Sequence, residues 1–273
     1  MKKGFLHFHQ GWTDIINCLP LIRYYSKIYD ELVVLNKLDA KHIIDFFCKD
    51  IENVKPIYLS REVLDEESNG RIHLLGYLTS NNILNILEYD LLIHGFPDHY
   101  RVDKYKSIYP SRFNTCHFVQ GFYTHYQIPY ETRINMFEFT RDMESENKYY
   151  EDFVSKNGNN YALYHDDPSR NMGVSLPISK NPKYTYVNLH GIADNIFNTI
   201  KIIENAKEIH LVDSVWASFC YMVDCRYRTF KDINVYLYPL INRPGGCLQF
   251  TPNLRLKYID PVNLNNWTII NYY

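Results

Sequence analysis

Short apolar runs, each followed by a stretch with helical spacing, constrain this chain more than any other feature. Gly4 to Phe8 reads as a strand, Gly11-Trp12-Thr13-Asp14 punctuates it, and Ile15, Ile16, Leu19, Ile22, Tyr25 and Ile28 then recur on one helical face. Leu32-Val33-Val34-Leu35 is a buried strand, and Asp39 is expected to cap a helix through Phe47. Val54 to Tyr58 is predicted as a third strand and Glu62 to Glu67 as a short helix; Ile72 to Leu75 and Leu91 to His94 are two further strands. Strands this short and apolar, separated by helices, form a parallel sheet covered on both faces.

The alternation breaks and then restarts. Pro129 is expected to open a helix through Arg133, Phe137 and Arg141. Residues 142–158 are charged and polar and read as a linker. Beyond it, Tyr161 to Tyr164, Tyr184 to Leu189, Ile209 to Val212 and Val235 to Leu240 are predicted strands, with helices from Asn195 and from Ser214. The fold class is therefore α/β, with two Rossmann-like domains, 1–155 and 156–273, whose parallel sheets are expected to face a central cleft.

Composition narrows the function classes. Hydrophobic residues make up 46% and charged residues 22% of the 273 positions, which excludes disorder as the main state. Lys plus Arg number 29 against 31 Asp plus Glu, a balance that argues against binding nucleic acid through bulk charge. Six scattered cysteines with no CxxC pair read as reduced and packed. No apolar run reaches 18 residues, and the stretch after Met1-Lys2-Lys3 is no signal-peptide core, so no transmembrane segment and a cytoplasmic protein are expected.

Four strand-to-helix junctions carry residues suited to chemistry. In the first, Gly11 permits close approach of the backbone, Thr13 follows, and Asp14 falls in the first helical turn. Asp14 there is either a carboxylate favoured by the helix dipole or a general base aimed into a crevice. In the second, His165, Ser169 and Arg170 could bind a pyrophosphate, Arg170 with five donors. The adjacent His165, Asp166 and Asp167 make a poor metal site, because neighbouring residues rarely converge on one ion. The third, His190 to Asp194, offers Asp194 as an N-cap, its first reading, and could turn His190 toward the crevice. The fourth, Asp213-Ser214, caps a helix or presents its free amides to a phosphate. No GxGxxG, GxxxxGK[ST] or GxSxG motif occurs, and no two Asp stand two apart, so nothing in the pattern points to a magnesium-held pyrophosphate.

On these residues the chain resembles the GT-B glycosyltransferases, in particular the heptosyltransferase-like group, with a looser similarity to fucosyltransferase-like relatives. Gly11-Trp12-Thr13-Asp14-Ile15-Ile16 looks like the opening G-x-G-D-x-[IL], with Thr13 at the second glycine. The run after Ile209 looks like D-[ST]-x-x-x-H-[LM]-A, with Asp213 and Ser214 in place and Ser218 where the family has His. The resemblance implies an inverting, metal-independent enzyme of polysaccharide biosynthesis that moves a sugar from a nucleotide-diphosphate sugar to a glycan hydroxyl. Asp14 would be the base. Gly11, Thr13, His165, Ser169, Arg170, His190, Asp213 and Ser214 would line the substrate sites, with no metal and no separate cofactor. It also implies that Asn253 to Tyr273 supply a reduced C-terminal crossover. Three other readings stay open on the residues alone: another nucleotide-sugar enzyme such as an epimerase, a methyltransferase with an added domain, and a non-catalytic carbohydrate-binding or assembly protein.

Overall fold

The computed structural model describes residues 1–8, 11–68, 73–94, 118–124, 126–167, 176–238, 240–243, 247–250 and 266–270. It divides into two units, Met1–Phe139 and Thr140–Tyr273. The division falls ahead of the expected 155/156 boundary. The reason is that residues 143–157 are no linker but a helix that packs within the second unit.

The first unit begins with β1 (Lys3–Phe8), α1 (Trp12–Ser26) and β2 (Glu31–Lys37). A 3₁₀ turn, Leu38–Ala40, leads into α2 (Lys41–Cys48), so Asp39 lies inside that turn and Ala40 holds the N-cap position expected of Asp39. β3 (Val54–Leu59), α3 (Arg61–Ser68), α4 (Leu74–Ser80) and β4 (Asp90–His94) follow. All neighbouring strands pair in parallel in the order β3-β2-β1-β4. Of the strand expected at Ile72 to Leu75, Ile72 lies outside the described residues, His73 is the N-cap of α4, and Leu74 and Leu75 begin that helix. Leu74 and Leu78, one helical turn apart, are both buried, and they join Phe5, Val33, Leu35, Leu59, Leu64 and Ile86 in one apolar cluster. At β1 the backbone comes close to a ring, because a Cβ on Gly4 would meet Tyr29 Cγ at 2.9 Å. After α5 (Phe118–Thr124), the helix expected from Pro129 to Arg141 shrinks to α6 (Thr132–Asn135).

The second unit opens with α7 (Met143–Asn157). Asp142 caps it by accepting from Ser145 N at 3.0 Å, and Gly158, at φ +78, stops it in a conformation that glycine reaches without strain. Its buried carboxylate, Glu146, is partnered. Arg141 Nε and Nη2 donate to Glu146, while Nη1 and Nη2 donate to Glu204 at 2.7 and 2.9 Å. β5 (Tyr161–His165), β6 (Thr185–Asn188), α8 (Ile200–Glu204), β7 (Glu208–Val212), α9 (Val215–Tyr227) and β8 (Asn234–Tyr238) complete the alternation. β9 (Leu240–Arg243) and β10 (Cys247–Phe250) form a separate antiparallel pair. β11 (Trp267–Ile269) adds a fifth parallel strand, so this part of the expected crossover is a sheet edge; residues 253–265 lie outside the described residues. Asp224 of α9 holds that edge, accepting from Trp267 Nε1 at 2.8 Å and from Phe230 N at 3.0 Å.

The second sheet runs β6-β5-β7-β8-β11, which is the order 2-1-3-4-5 counted from its first strand. The chain thus carries two Rossmann-like units of parallel sheet, the α/β class expected from the sequence. No described helix is long and apolar enough to cross a membrane.

Candidate functional site

In open parallel sheets the carboxyl ends of the strands form the ligand edge, above all where the strand order reverses. In the first unit the reversal lies between β1 and β4. Gly11 is the N-cap of α1, and its carbonyl accepts from Ile15 N at 2.8 Å. Its φ of −64 and ψ of 143 are open to any residue, so this turn does not need glycine's freedom. Thr13 and Asp14 are partly exposed in the first turn of α1. The Thr13 carbonyl accepts a second hydrogen bond from Asn17 Nδ2 at 2.7 Å, which braces the turn from inside the helix. Asp14 therefore stands where a helix dipole favours a carboxylate and where a substrate hydroxyl could be met.

The same edge holds a residue that sequence reading missed. Lys37 closes β2 and is only 5% exposed. Its Nζ lies 3.9 Å from the centroid of the Trp12 ring and 3.8 Å from Asp39 Oδ2. Burial pulls its pKa below the ordinary lysine value; Asp39 and Asp14 oppose that pull and Arg61 adds to it. Trp12 also packs near His42, with ring centroids 6.1 Å apart. In the sequence Lys37 only ends a strand whose centre, Leu32 to Leu35, is apolar; its burial comes from the tertiary structure.

In the second unit the order reverses between β5 and β7. His165 is the last residue of β5, and Ser214 follows β7 as the N-cap of α9. The fold brings these two predicted residues together: His165 Nδ1 and Ser214 Oγ are 3.0 Å apart, and both side chains are buried. Ser214 makes no hydrogen bond from its side chain to the first turn of α9, so its hydroxyl is engaged by the imidazole and not by the helix. Asp213, beside it, is 7% exposed. The ring of Trp216 lies 6.2 Å from that of His165.

His190 is exposed in the turn after β6, and its amide donates to Asn188 Oδ1. The N-cap expected of Asp194 belongs to Asn195, whose side chain accepts from Phe197 N at 3.0 Å. Asp166 accepts from Asn188 Nδ2 at 2.9 Å, and Asp167 has φ +52, an uncommon conformation for a residue with a side chain. Ser169 and Arg170 lie outside the described residues, as does Gln10 of the first motif. Among the described residues no group of three or more His, Cys, Asp or Glu is placed to hold a metal ion. Cys18, Cys48, Cys220 and Cys225 are buried free thiols, and burial raises the pKa of Cys48 to about 12.

No known family model matches the chain, and no curated protein matches it. Among solved structures it is similar to E. coli heptosyltransferase WaaC with ADP, at 10% identity and a TM-score of 0.39 over 89% of both chains. The same enzyme with ADP-2-deoxy-2-fluoro heptose gives 11% identity and a TM-score of 0.40, over 99% of this chain and 93% of the other. At scores of this size the likeness assigns no residue and no activity.

Proposed function

We propose that this protein is an inverting, metal-independent glycosyltransferase that moves a sugar from a nucleotide-diphosphate sugar to a glycan hydroxyl. The acceptor binds at the carboxyl edge of the first sheet, where Asp14 takes the proton of the attacking hydroxyl. The donor binds at the carboxyl edge of the second. Its diphosphate meets the amides at the start of α9, Ser214 and Arg170, with Gly11, Thr13, His165, Ser169, His190 and Asp213 shaping the two edges. The hydroxyl attacks the anomeric carbon in one displacement, the bond to the diphosphate breaks, and the configuration inverts. The leaving diphosphate gains charge as that bond breaks, so cationic and amide donors act most strongly in the transition state.

The observation that carries this reading is the meeting of His165 and Ser214 at the reversal point of the second sheet, 3.0 Å apart, at the N-terminus of a 13-residue helix. The sequence motifs around Asp14 and Asp213-Ser214 support it independently. Titrating GDP, UDP, CMP and ADP into the protein tests it: one nucleotide should bind, and binding of a glycan alone would favour a non-catalytic role. With the matching sugar donor, Asp14→Asn should still bind nucleotide but lose transfer by about 10²–10⁴-fold. Unchanged turnover in that variant removes Asp14 as base. EDTA should leave activity intact, and its abolition by chelation restores a metal.

A further inference from the structure

One proton lies between His165 Nδ1 and Ser214 Oγ, and its owner decides what Ser214 can do. If the hydroxyl donates to an unprotonated Nδ1, the serine has only lone pairs left to offer. If Nδ1–H donates to the hydroxyl oxygen, the serine proton is free to point elsewhere. The oxygens of an ionised diphosphate are acceptors, so only the second arrangement lets Ser214 hold them.

A separate observation marks this helix end as a place for a ligand. Ser218 is 1% exposed, and its Oγ has no hydrogen-bond partner among the described residues. It stands one turn along α9 from Ser214, and its amide donates to the Ser214 carbonyl at 3.1 Å. Residues four apart share a helix face, and each Cα–Cβ bond tilts toward the N-terminus, so the side chain of Ser218 leans toward the end where Ser214 stands. A buried hydroxyl left without a partner is costly, and an acceptor arriving at that end would relieve it.

We propose that His165 is a positioning residue. Protonated on Nδ1, it donates to Ser214 Oγ and thereby turns the Ser214 proton toward a phosphate oxygen of a nucleoside diphosphate. In this role His165 acts through Ser214 and does not itself hold the ligand. This role rests on the donor-side reading given above.

The test uses ¹⁵N-histidine-labelled protein saturated with inorganic pyrophosphate, observed by imidazole nitrogen NMR. Nδ1 of His165 should carry a proton. In parallel, pyrophosphate affinity should fall about tenfold in Ser214→Ala and about tenfold in His165→Leu. His165→Asn places an amide donor near the position of Nδ1 and should stay within about threefold of the wild type. Adding His165→Leu to the Ser214→Ala protein should cost nothing more, because a residue that works only through Ser214 has nothing left to orient. Bound pyrophosphate with Nδ1 unprotonated overturns the positioning role and leaves the donor-side reading standing. So does an undiminished loss from His165→Leu in the Ser214→Ala protein. If His165→Leu does not fold, the asparagine variant and the nitrogen spectrum still decide. If neither pyrophosphate nor any of the four nucleotides binds the wild type, the donor-side reading fails and takes this role with it.

Discussion

The two parallel sheets of this chain are stabilised in different ways. In the first, β1 is buried from Gly4 through Phe8 and β2 from Leu32 through Lys37, so successive residues are buried whichever face they point to. In the second, the faces differ. Leu163, Ile209 and Val235 stand in register on one side and are fully buried. On the other side a polar row, Asn188, Tyr164, His210, Tyr236 and Thr268, crosses all five strands. His210 is the centre of that row. Its Nδ1 is 2.7 Å from Tyr238 Oη and its Nε2 3.3 Å from Glu208 Oε1, and Tyr186 Oη donates to the same Glu208 oxygen. Because the carboxylate of Glu208 can only accept, Nε2 carries the proton and Tyr238 donates to Nδ1. Parallel sheet is thus held in one unit by central strands buried along their length, and in the other by an apolar face plus a hydrogen-bonded polar row.

This contrast can be broken or sharpened by substitution. The largest effect is expected at the charge network of the second unit. Glu146 has a side chain only 1% exposed, and Arg141→Gln would leave its carboxylate buried without its cation. The loss should be about 3–5 kcal/mol, read by urea unfolding followed through Trp216 and Trp267. A loss below about 1 kcal/mol means that the pair behaves like a solvated one and the contrast is weaker than drawn. In the first unit, steric fit should dominate. Gly4→Ala should cost about 1–3 kcal/mol, because the new methyl meets the buried ring of Tyr29. The cost should shrink when Tyr29 is replaced by Leu, and an equal cost in both backgrounds places the strain elsewhere.

The smallest effect is a pH dependence confined to the second unit. Burial lowers the pKa of His210 from 6.5, and Glu208 opposes the shift only in part. A lowered histidine pKa means that the fold favours the neutral ring. That contribution is complete above the unfolded value and is lost as pH falls through the folded one. Stability reported by Trp216 and Trp267 should therefore decline below about pH 6.5, while Trp12 fluorescence follows no such trend. His210→Gln should flatten the decline. An unchanged slope in that variant assigns the pH dependence to another group.

Most strands from β1 to β8 were legible because they are short, largely apolar runs between turn residues; β9, β10, β11 and α5 were not predicted. Two further helices were misread. The stretch containing Leu74 and Leu75 reads as a strand by composition, but Leu74 and Leu78 meet the same apolar cluster, and only the tertiary contact selects the helical period. Residues 143–157 read as linker because they are dense in charge, yet Phe153 packs on Tyr161 at 4.8 Å between ring centroids and Glu146 is neutralised by Arg141. Charge density looks like solvent exposure until the partners come from elsewhere in the chain. Of the candidate site residues, Asp213 and Ser214 are proposed from the sequence because they follow an apolar strand directly, and Asp14 because it falls in the first turn of the helix after one. Lys37 was not, since nothing in a single lysine says that its ammonium lies over Trp12.

By itself the sequence determined the α/β class, the restart of the alternation in the second half, and the strand-edge location of most candidate residues. These follow from periodicity and from the rule that ligand edges lie past the carboxyl ends of parallel strands, both local properties of the chain. Tertiary structure alone decided that His165 meets Ser214, that Lys37 is buried, and that the second sheet has a polar face. Each depends on distances between residues far apart in sequence, where burial and the choice of partner, not residue type, set whether a polar group is a surface ornament or part of a site.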